Sequence, residues 1–248
     1  MKFLITVFSI LFLSVSASAQ KSPIVVYLAG DSTMARKAED KRPETGWGEF
    51  LQRHFDESKV KIENHAQNGR STKSFIAEGR WQVIVDKLKK GDYVFIEFGH
   101  NDEKLDKPNV GAAANGEYRE NLMRMVKDVR AKKANPVLLT PVMRRRFDEN
   151  GNFIDTHGEY PDAVRKVAAG LKVPQIDMHR LSEKLLINYG AENSRKLFLQ
   201  LKVGENANYP KGIEDNTHFN EKGAEEMAKL AVAEIDRQKI KLRKFLKK

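Results

Sequence analysis

Along this chain, short apolar runs alternate with longer stretches in which apolar residues recur at helical spacing. The runs at 24–28, 60–64, 93–98, 137–140 and 173–176 have the length and β-branched or aromatic content of strands. Segments 46–55, 74–89, 116–133, 161–171, 181–189 and 221–239 are predicted helices. In 116–133, Leu122, Met125, Val126 and Val129 make one apolar stripe, and Arg124, Lys127 and Asp128 fall on the wet face. Strand followed by helix, several times over, predicts an α/β fold with a mostly parallel five-stranded sheet covered on both faces. Right-handed crossovers then bring every strand C-terminal end to one edge. Stretches 103–115, 144–160 and 201–217 read as long irregular connections, which are often functional. No repeat or linker divides the chain, so a single domain over 20–248 is expected.

The first residues change where that domain is expected to work. Met1 and Lys2 precede an apolar run over 3–15, and small residues then lead to Ala17-Ser18-Ala19-Gln20. This is the layout of a secretory signal over 1–19, cleaved after Ala19, because the run is too short to span a bilayer. A secreted or periplasmic protein with no stable membrane insertion is expected. The absence of cysteine excludes a disulfide framework, a thiolate metal site and a cysteine nucleophile.

A formal charge of +10 raises the question of nucleic acid, but one charge is Lys2 and seven lie in 237–248, which leaves +2 for the body. Such a tail reads as a solvated helix end that could also meet an anionic surface, lipid or acidic polysaccharide. It lacks the interleaved aromatics of a strand-binding platform, which argues against a nucleic-acid partner. No HExxH, GxGxxG or GxxxxGK[ST] pattern occurs, so no metal and no cofactor are expected.

In an open α/β sheet, ligands sit beyond the carboxyl ends of the strands. Those ends carry Gly30-Asp31-Ser32-Thr33, Gln67-Asn68-Gly69-Arg70, Gly99-His100-Asn101-Asp102 and Pro141-Val142-Met143-Arg144, with Asp215-Asn216-Thr217-His218 just before the last helix. Together they offer what acyl transfer requires. A serine hydroxyl needs a base within hydrogen-bond reach. His218 can be that base if Asp215, three residues earlier, holds its other ring nitrogen. The Ser32 and Gly69 N–H groups and the Asn101 side-chain amide are the natural donors to a developing oxyanion. Each piece also has a plain reading: Gly-Asp-Ser as a turn, Asp215–His218 as a helix cap, Gly69 as a turn glycine. Their convergence on one edge favours chemistry.

These residues, as a set, resemble the SGNH (GDSL-type) hydrolases. The segments YLAGDSTMA, NGRSTKSF, FGHND, FDENGNFIDTHGEYPDAV and DNTHFNEKGA are similar to the rhamnogalacturonan acetylesterase branch, in the same order along the chain. The resemblance implies a three-layer α/β/α sandwich of flavodoxin-like type and serine esterase chemistry, with Ser32, Asp215 and His218 catalytic and Ser32, Gly69 and Asn101 forming the oxyanion hole. It departs at Asn68, where such sequences often carry glycine. The implied substrate is an acetylated, acidic pectic polysaccharide. Asp31, Arg70, His100, Arg144, Arg145 and His157 are candidates for substrate binding, with Lys73 and Arg146 beside them and Trp47, Trp81 and Tyr118 able to stack on sugars. Alternatives are an SGNH esterase acting on xylan acetate, lipid or thioester, a catalytically silent carbohydrate-binding protein, and a surface adhesion or scaffold protein that uses the basic tail.

Overall fold

Seven residues from Ile24 form strand β1 (Ile24–Gly30) in a computed structural model that describes residues 22–247. The signal segment expected over 1–19 lies outside the described residues. Strands β2 (Val60–Asn64), β3 (Tyr93–Glu97), β4 (Asn135–Leu139) and β5 (Gln175–Ile176) join β1 in one parallel sheet of order β2-β1-β3-β4-β5. Successive side chains leave a strand on opposite faces, so a sheet covered on both sides needs continuous apolar runs. Val26 and Leu28 of β1 and Phe95 of β3 enter one core, while Tyr27, Ala29, Val94 and Ile96 enter the other.

Helices α1 (Thr72–Ala77), α2 (Arg80–Lys87), α3 (Arg119–Ala131) and α4 (Tyr160–Leu171) cover the second face. Helices α5 (Met178–Ser194) and α6 (Glu221–Arg237) cover the first. The result is the expected three-layer α/β/α arrangement, with strand order reversing between β1 and β3. That reversal opens the crevice in which such sheets hold ligands. Among the described residues, no helix is long and apolar enough to cross a membrane.

Several elements differ from the sequence reading. Segment 46–55 is two 3-10 turns, Trp47–Glu49 and Leu51–His54, rather than one helix. Gly46 and Gly48 press against the backbone after Ser32, where a Cβ would come within 2.1 Å of the Ala35 carbonyl and 2.6 Å of that of Met34. Segment 74–89 divides into α1 and α2 at Gly79, whose φ of 72° ends the first helix. Segment 215–218 is not a helix cap but part of strand β7 (Ile213–Phe219), antiparallel to β6 (Phe198–Leu201) in a separate two-stranded sheet. The cap of α6 is Asn220, whose side chain accepts the Gly223 N–H.

The basic tail is also corrected. It is not a solvated helix end: α6 stops at Arg237, and a 3-10 turn over Lys241–Phe245 folds back on the domain. Leu242 is fully buried, Phe245 and Leu246 pack against the core, and the Lys247 N–H donates to the His54 carbonyl at 2.8 Å. The tail's apolar residues pack into the domain, and its cations among the described residues face water. Leu242→Ala should therefore lower unfolding free energy by about 2–4 kcal/mol, the range for a buried leucine. Lys244→Gln should change it by less than about 0.5 kcal/mol. Urea denaturation of the two variants checks both.

Candidate active site

Strand β1 delivers Ser32 by a turn that its own residues close. Gly30 is required there, because a Cβ would lie 2.9 Å from both the Glu97 carbonyl and the Met34 sulfur. Asp31 Oδ1 then accepts the Thr33 N–H at 2.9 Å and the Thr33 hydroxyl at 2.8 Å, which curls the chain around Ser32. Ser32 Oγ lies 2.9 Å from His218 Nε2, across 186 positions of sequence.

His218 arrives on β7, where a register irregularity against β6 lets residues 215–218 leave the ladder. Asp215 Oδ2 lies 2.7 Å from His218 Nδ1, and its Oδ1 accepts the N–H groups of Thr217 at 2.7 Å and His218 at 3.0 Å. Burial pushes the Asp215 carboxyl up, but the His218 ring and those two N–H groups bring it below the usual carboxylate range. An ionised Asp215 makes Nδ1 the protonated nitrogen and leaves Nε2 free to accept from the Ser32 hydroxyl.

Two backbone N–H groups in the turns after β1 and β2 are without partners. Neither the Ser32 nor the Gly69 N–H is hydrogen-bonded among the described residues. Gly69 has φ 75°, a left-handed conformation that glycine adopts freely, and a Cβ there would meet nothing within 4 Å. Asn101 is held in one orientation: its Oδ1 accepts from Lys104 Nζ at 2.7 Å and its Nδ2 donates to the Arg70 carbonyl at 3.0 Å. One amide hydrogen remains uncommitted. The loop carrying Gly69 is anchored at Thr72, whose N–H reaches Asp102 Oδ1 at 3.0 Å and whose hydroxyl bonds the same oxygen.

The sequence reading missed Lys37. It is only 2% exposed. Its ammonium donates to the Ser32 carbonyl, reaches Asn68 Oδ1 at 2.9 Å and pairs with Glu44 at 2.7 Å. One buried cation thus clips the serine turn to the residue preceding Gly69, and Asn68 supplies the acceptor. Nothing in the local sequence marks it out from the other forty-three lysines and arginines. Glu97 carried a signal that could have been read, as the one acid in an otherwise apolar strand.

Three candidates for substrate contact are instead buried beneath the turn. Asp31 has no exposed surface, and His100 and His157 are almost as enclosed. His100 Nδ1 sits 3.4 Å from Asp31 Oδ2, out of line for a hydrogen bond, and burial pulls the imidazole down to about 4, so it is neutral at pH 7. His157 is clamped between Glu103 and the Val142 carbonyl. Trp47, Trp81 and Tyr118 are core residues, with polar atoms donating to Glu97, Asp128 and the Phe98 carbonyl.

The charged candidates divide further. Arg70 is partly exposed and bound to Glu78 at 3.0 Å, and Lys73 to Glu117 at 3.0 Å. Arg144 is paired with Glu103 at 2.7 Å, and the Arg145 guanidinium is taken up by Asn216, Ser194 and the Ala191 carbonyl. Arg146 is exposed and makes no ion pair or side-chain hydrogen bond among the described residues. All three arginines line a cleft of about 400 Å³ with Phe147, Thr156, Asn216 and Thr217, the residue before His218 in the chain.

Residues 28–226 match the GDSL-like Lipase/Acylhydrolase family. The rhamnogalacturonan acetylesterase RhgT of Bacillus subtilis is 45% identical over 226 residues, covering 91% of this chain and 95% of that protein. The probable rhamnogalacturonan acetylesterase YesY of the same organism is 38% identical over 210 residues, covering 85% and 91%. Among solved structures, the Bacillus subtilis protein YxiM superposes with a TM-score of 0.75 at 27% identity; 88% of this chain is covered, and it spans 58% of that chain. A catalytic mutant of the acetylxylan esterase Axe2 from Geobacillus stearothermophilus shares the fold, with a TM-score of 0.58 at 19% identity over 87% of this chain and 96% of that one.

The buried layer makes stability depend on pH above neutrality. Glu97 is 1% exposed and accepts from Trp47 Nε1 at 2.7 Å and the Val142 N–H at 3.0 Å. Burial first, and the Asp31 charge second, raise it from 4.5 to about 8. Between those values the folded chain holds a proton that the unfolded chain has lost, so stability falls as pH rises. Below about 6.5, neutral buried His100 contributes the opposite slope. The melting temperature should therefore drop from pH 7 to 8, and Glu97→Gln should flatten that drop. An unchanged slope in the variant would exclude Glu97 as its source.

Proposed function

The chain is a carboxylic ester hydrolase belonging to the GDSL-like lipase/acylhydrolase family, and from that premise we propose that it removes O-acetyl groups from rhamnogalacturonan, a pectic polysaccharide. The observation that carries the proposal is the unbroken relay from Ser32 Oγ to His218 Nε2 at 2.9 Å and from His218 Nδ1 to Asp215 at 2.7 Å. Ser32 attacks the acetyl carbonyl while His218 takes its proton, and the ionised Asp215 holds the tautomer and balances the imidazolium. The carbonyl oxygen, now an anion, receives the Ser32 and Gly69 N–H groups and the uncommitted Asn101 amide hydrogen. As the intermediate collapses, His218 gives its proton to the departing sugar oxygen, leaving an acetyl group on Ser32. Water activated by the same ring releases acetate.

The polymer lies along the arginine-lined cleft. Arg144 and Arg145 fix the wall, and Arg146 has the free guanidinium that can fork onto a galacturonate carboxylate. No apolar tract for a long acyl chain lines this cleft, whose residues are arginines, Phe147, Thr156, Asn216 and Thr217. That composition, with the two acetylesterase relatives, supports a short acyl group on an acidic glycan over a lipid or thioester. The protein acts after export, as a single domain over 20–248 released by cleavage after Ala19.

Ser32→Ala should reduce aryl-acetate turnover by roughly 10⁴-fold or more with unchanged circular dichroism. A fluorophosphonate should label the unaltered protein at Ser32 alone. Activity that persists in the folded variant would remove Ser32 from the mechanism. Arg146→Ala should raise KM on acetylated pectic polymer about tenfold, the worth of one charge-assisted pair, and leave aryl-acetate kinetics as they were. Equal KM values for the two proteins on the polymer would take Arg146 out of substrate recognition.

A further inference from the structure

Helices α3, α4 and α6 end in the same way. Each closes on a left-handed lysine: Lys133 with φ 57°, Lys172 with φ 51° and Lys239 with φ 56°. These are the non-glycine residues with positive φ among the described residues. In each case the next residue folds back, with Ala134 N–H to Val129 at 3.2 Å, Val173 to Ala168 at 2.9 Å and Ile240 to Ile235 at 3.1 Å, and that residue is buried. This closure favours glycine, because a Cβ in the left-handed region crowds the neighbouring carbonyl. A cation that merely complemented the helix dipole could sit on the relaxed last turn instead.

The three lysines share one edge of the sheet, where the strands begin, opposite Ser32. Arg130 connects them. Its guanidinium donates to the carbonyls of Leu171 at 2.7 Å and Lys172 at 3.2 Å, and its own carbonyl accepts the Lys133 N–H at 2.9 Å. With Lys239, Lys241, Asn135 and Gln238 it lines a hollow of about 470 Å³. Arg130, Lys133, Lys172, Lys239 and Lys241 are all exposed, and none has a carboxylate within 4.0 Å among the described residues. Exposed cations without carboxylate partners give this edge a positive potential that a polyanion complements.

We propose that this edge is a second, non-catalytic binding surface, and that its ligand is a polyuronate chain. Lysines around a shallow hollow act as spaced point charges, suited to holding successive carboxylates without fixing a register. None of the exposed large apolar residues, Val83, Leu105, Ile154, Ile187 and Val203, lines the hollow, so nothing there would enter a bilayer. The choice of a uronate polymer rests on the pectic-esterase reading. The surface would keep the protein on its polymer while the opposite edge works on acetyl groups.

The test uses acetyl-free polygalacturonate and the Ser32→Ala protein, so binding is measured without chemistry, at about 50 mM and 300 mM salt. The triple variant Lys133→Gly, Lys172→Gly, Lys239→Gly removes three charges where glycine is the preferred residue, so its melting temperature should hold or rise. It should bind polygalacturonate at least tenfold more weakly at the lower salt. The same three changes in the Ser32 protein should leave aryl-acetate kcat/KM within twofold. Replacing Lys127, Lys166 and Lys184 by Gln, an equal loss of charge elsewhere, should weaken binding less than twofold. Absence of binding at the lower salt, equal weakening in both triple variants, or retention by phosphatidylglycerol vesicles in place of polygalacturonate would each overturn the proposal. Failure of acetate release from acetylated rhamnogalacturonan, with polygalacturonate binding intact, would strike the esterase reading and not this surface.

Discussion

Burial of a five-stranded parallel sheet on both faces is the constraint from which the molecule follows. Because the strands run one way, their ends divide into two dissimilar edges. Every loop that leaves a strand lies at one edge and every helix that returns to a strand finishes at the other. Ser32, Gly69 and Asn101 come together at the first edge because they follow β1, β2 and β3 in turn. The left-handed lysines collect at the second for the same topological reason. Neither gathering needs sequence proximity, and the apolar registry of Val26, Leu28, Phe95 and Leu139 in one core holds both in place.

Beneath the serine turn the protein keeps a polar layer that an apolar core would not need. Asp31 is held ionised, against its burial, by the Thr33 N–H and hydroxyl, while neighbouring Glu97 is driven to retain its proton. Two carboxyls so close cannot both ionise cheaply, and the pair resolves into one anion and one acid. Glu97 in turn binds Trp47 and the Val142 N–H, so the turn bearing Ser32 rests on a bridge between β3 and β4. Lys37 completes the frame from above. The turn that bears Ser32 is therefore held by enclosed polar groups: Asp31, Glu97 and Lys37 are all buried.

The strands of the main sheet were legible because each of β1, β3 and β4 carries an unbroken apolar run, Ile24–Ala29, Tyr93–Ile96 and Pro136–Leu139, as double burial demands. Ser32, Gly69 and Asn101 were legible as candidates from their places after strands, Asp215 and His218 from theirs before the last helix, and all five from the resemblance they carry. The hairpin β6–β7 was not. Its second strand reads Ile-Glu-Asp-Asn-Thr-His-Phe, a half-exposed polar ribbon that is anchored mainly by Phe198 and Phe219. Helical spacing over 46–55 misled, since close packing of Gly46 and Gly48 on the Met34 backbone decided the path. Burial of Asp31, His100 and His157 could not be read, because polar residues in loops carry no periodicity to show which way they face. Nor could the pairing that occupies Arg144 and Arg145 and spares Arg146.

Asp215 and His218 belong to a four-residue unit that satisfies itself, since the carboxylate draws its donors from Thr217 and His218 alone. Between them stand Asn216 and Thr217, which form the wall of the arginine cleft, and the Asn216 carbonyl accepts the Arg145 N–H at 2.8 Å. On the proposed mechanism, the wall that would judge the sugar and the arm that would move the proton are a single piece of main chain. Selectivity and turnover would then be mechanically joined: reshaping that wall for a different glycan would also re-aim the imidazole, so a change of taste would arrive with a change of speed.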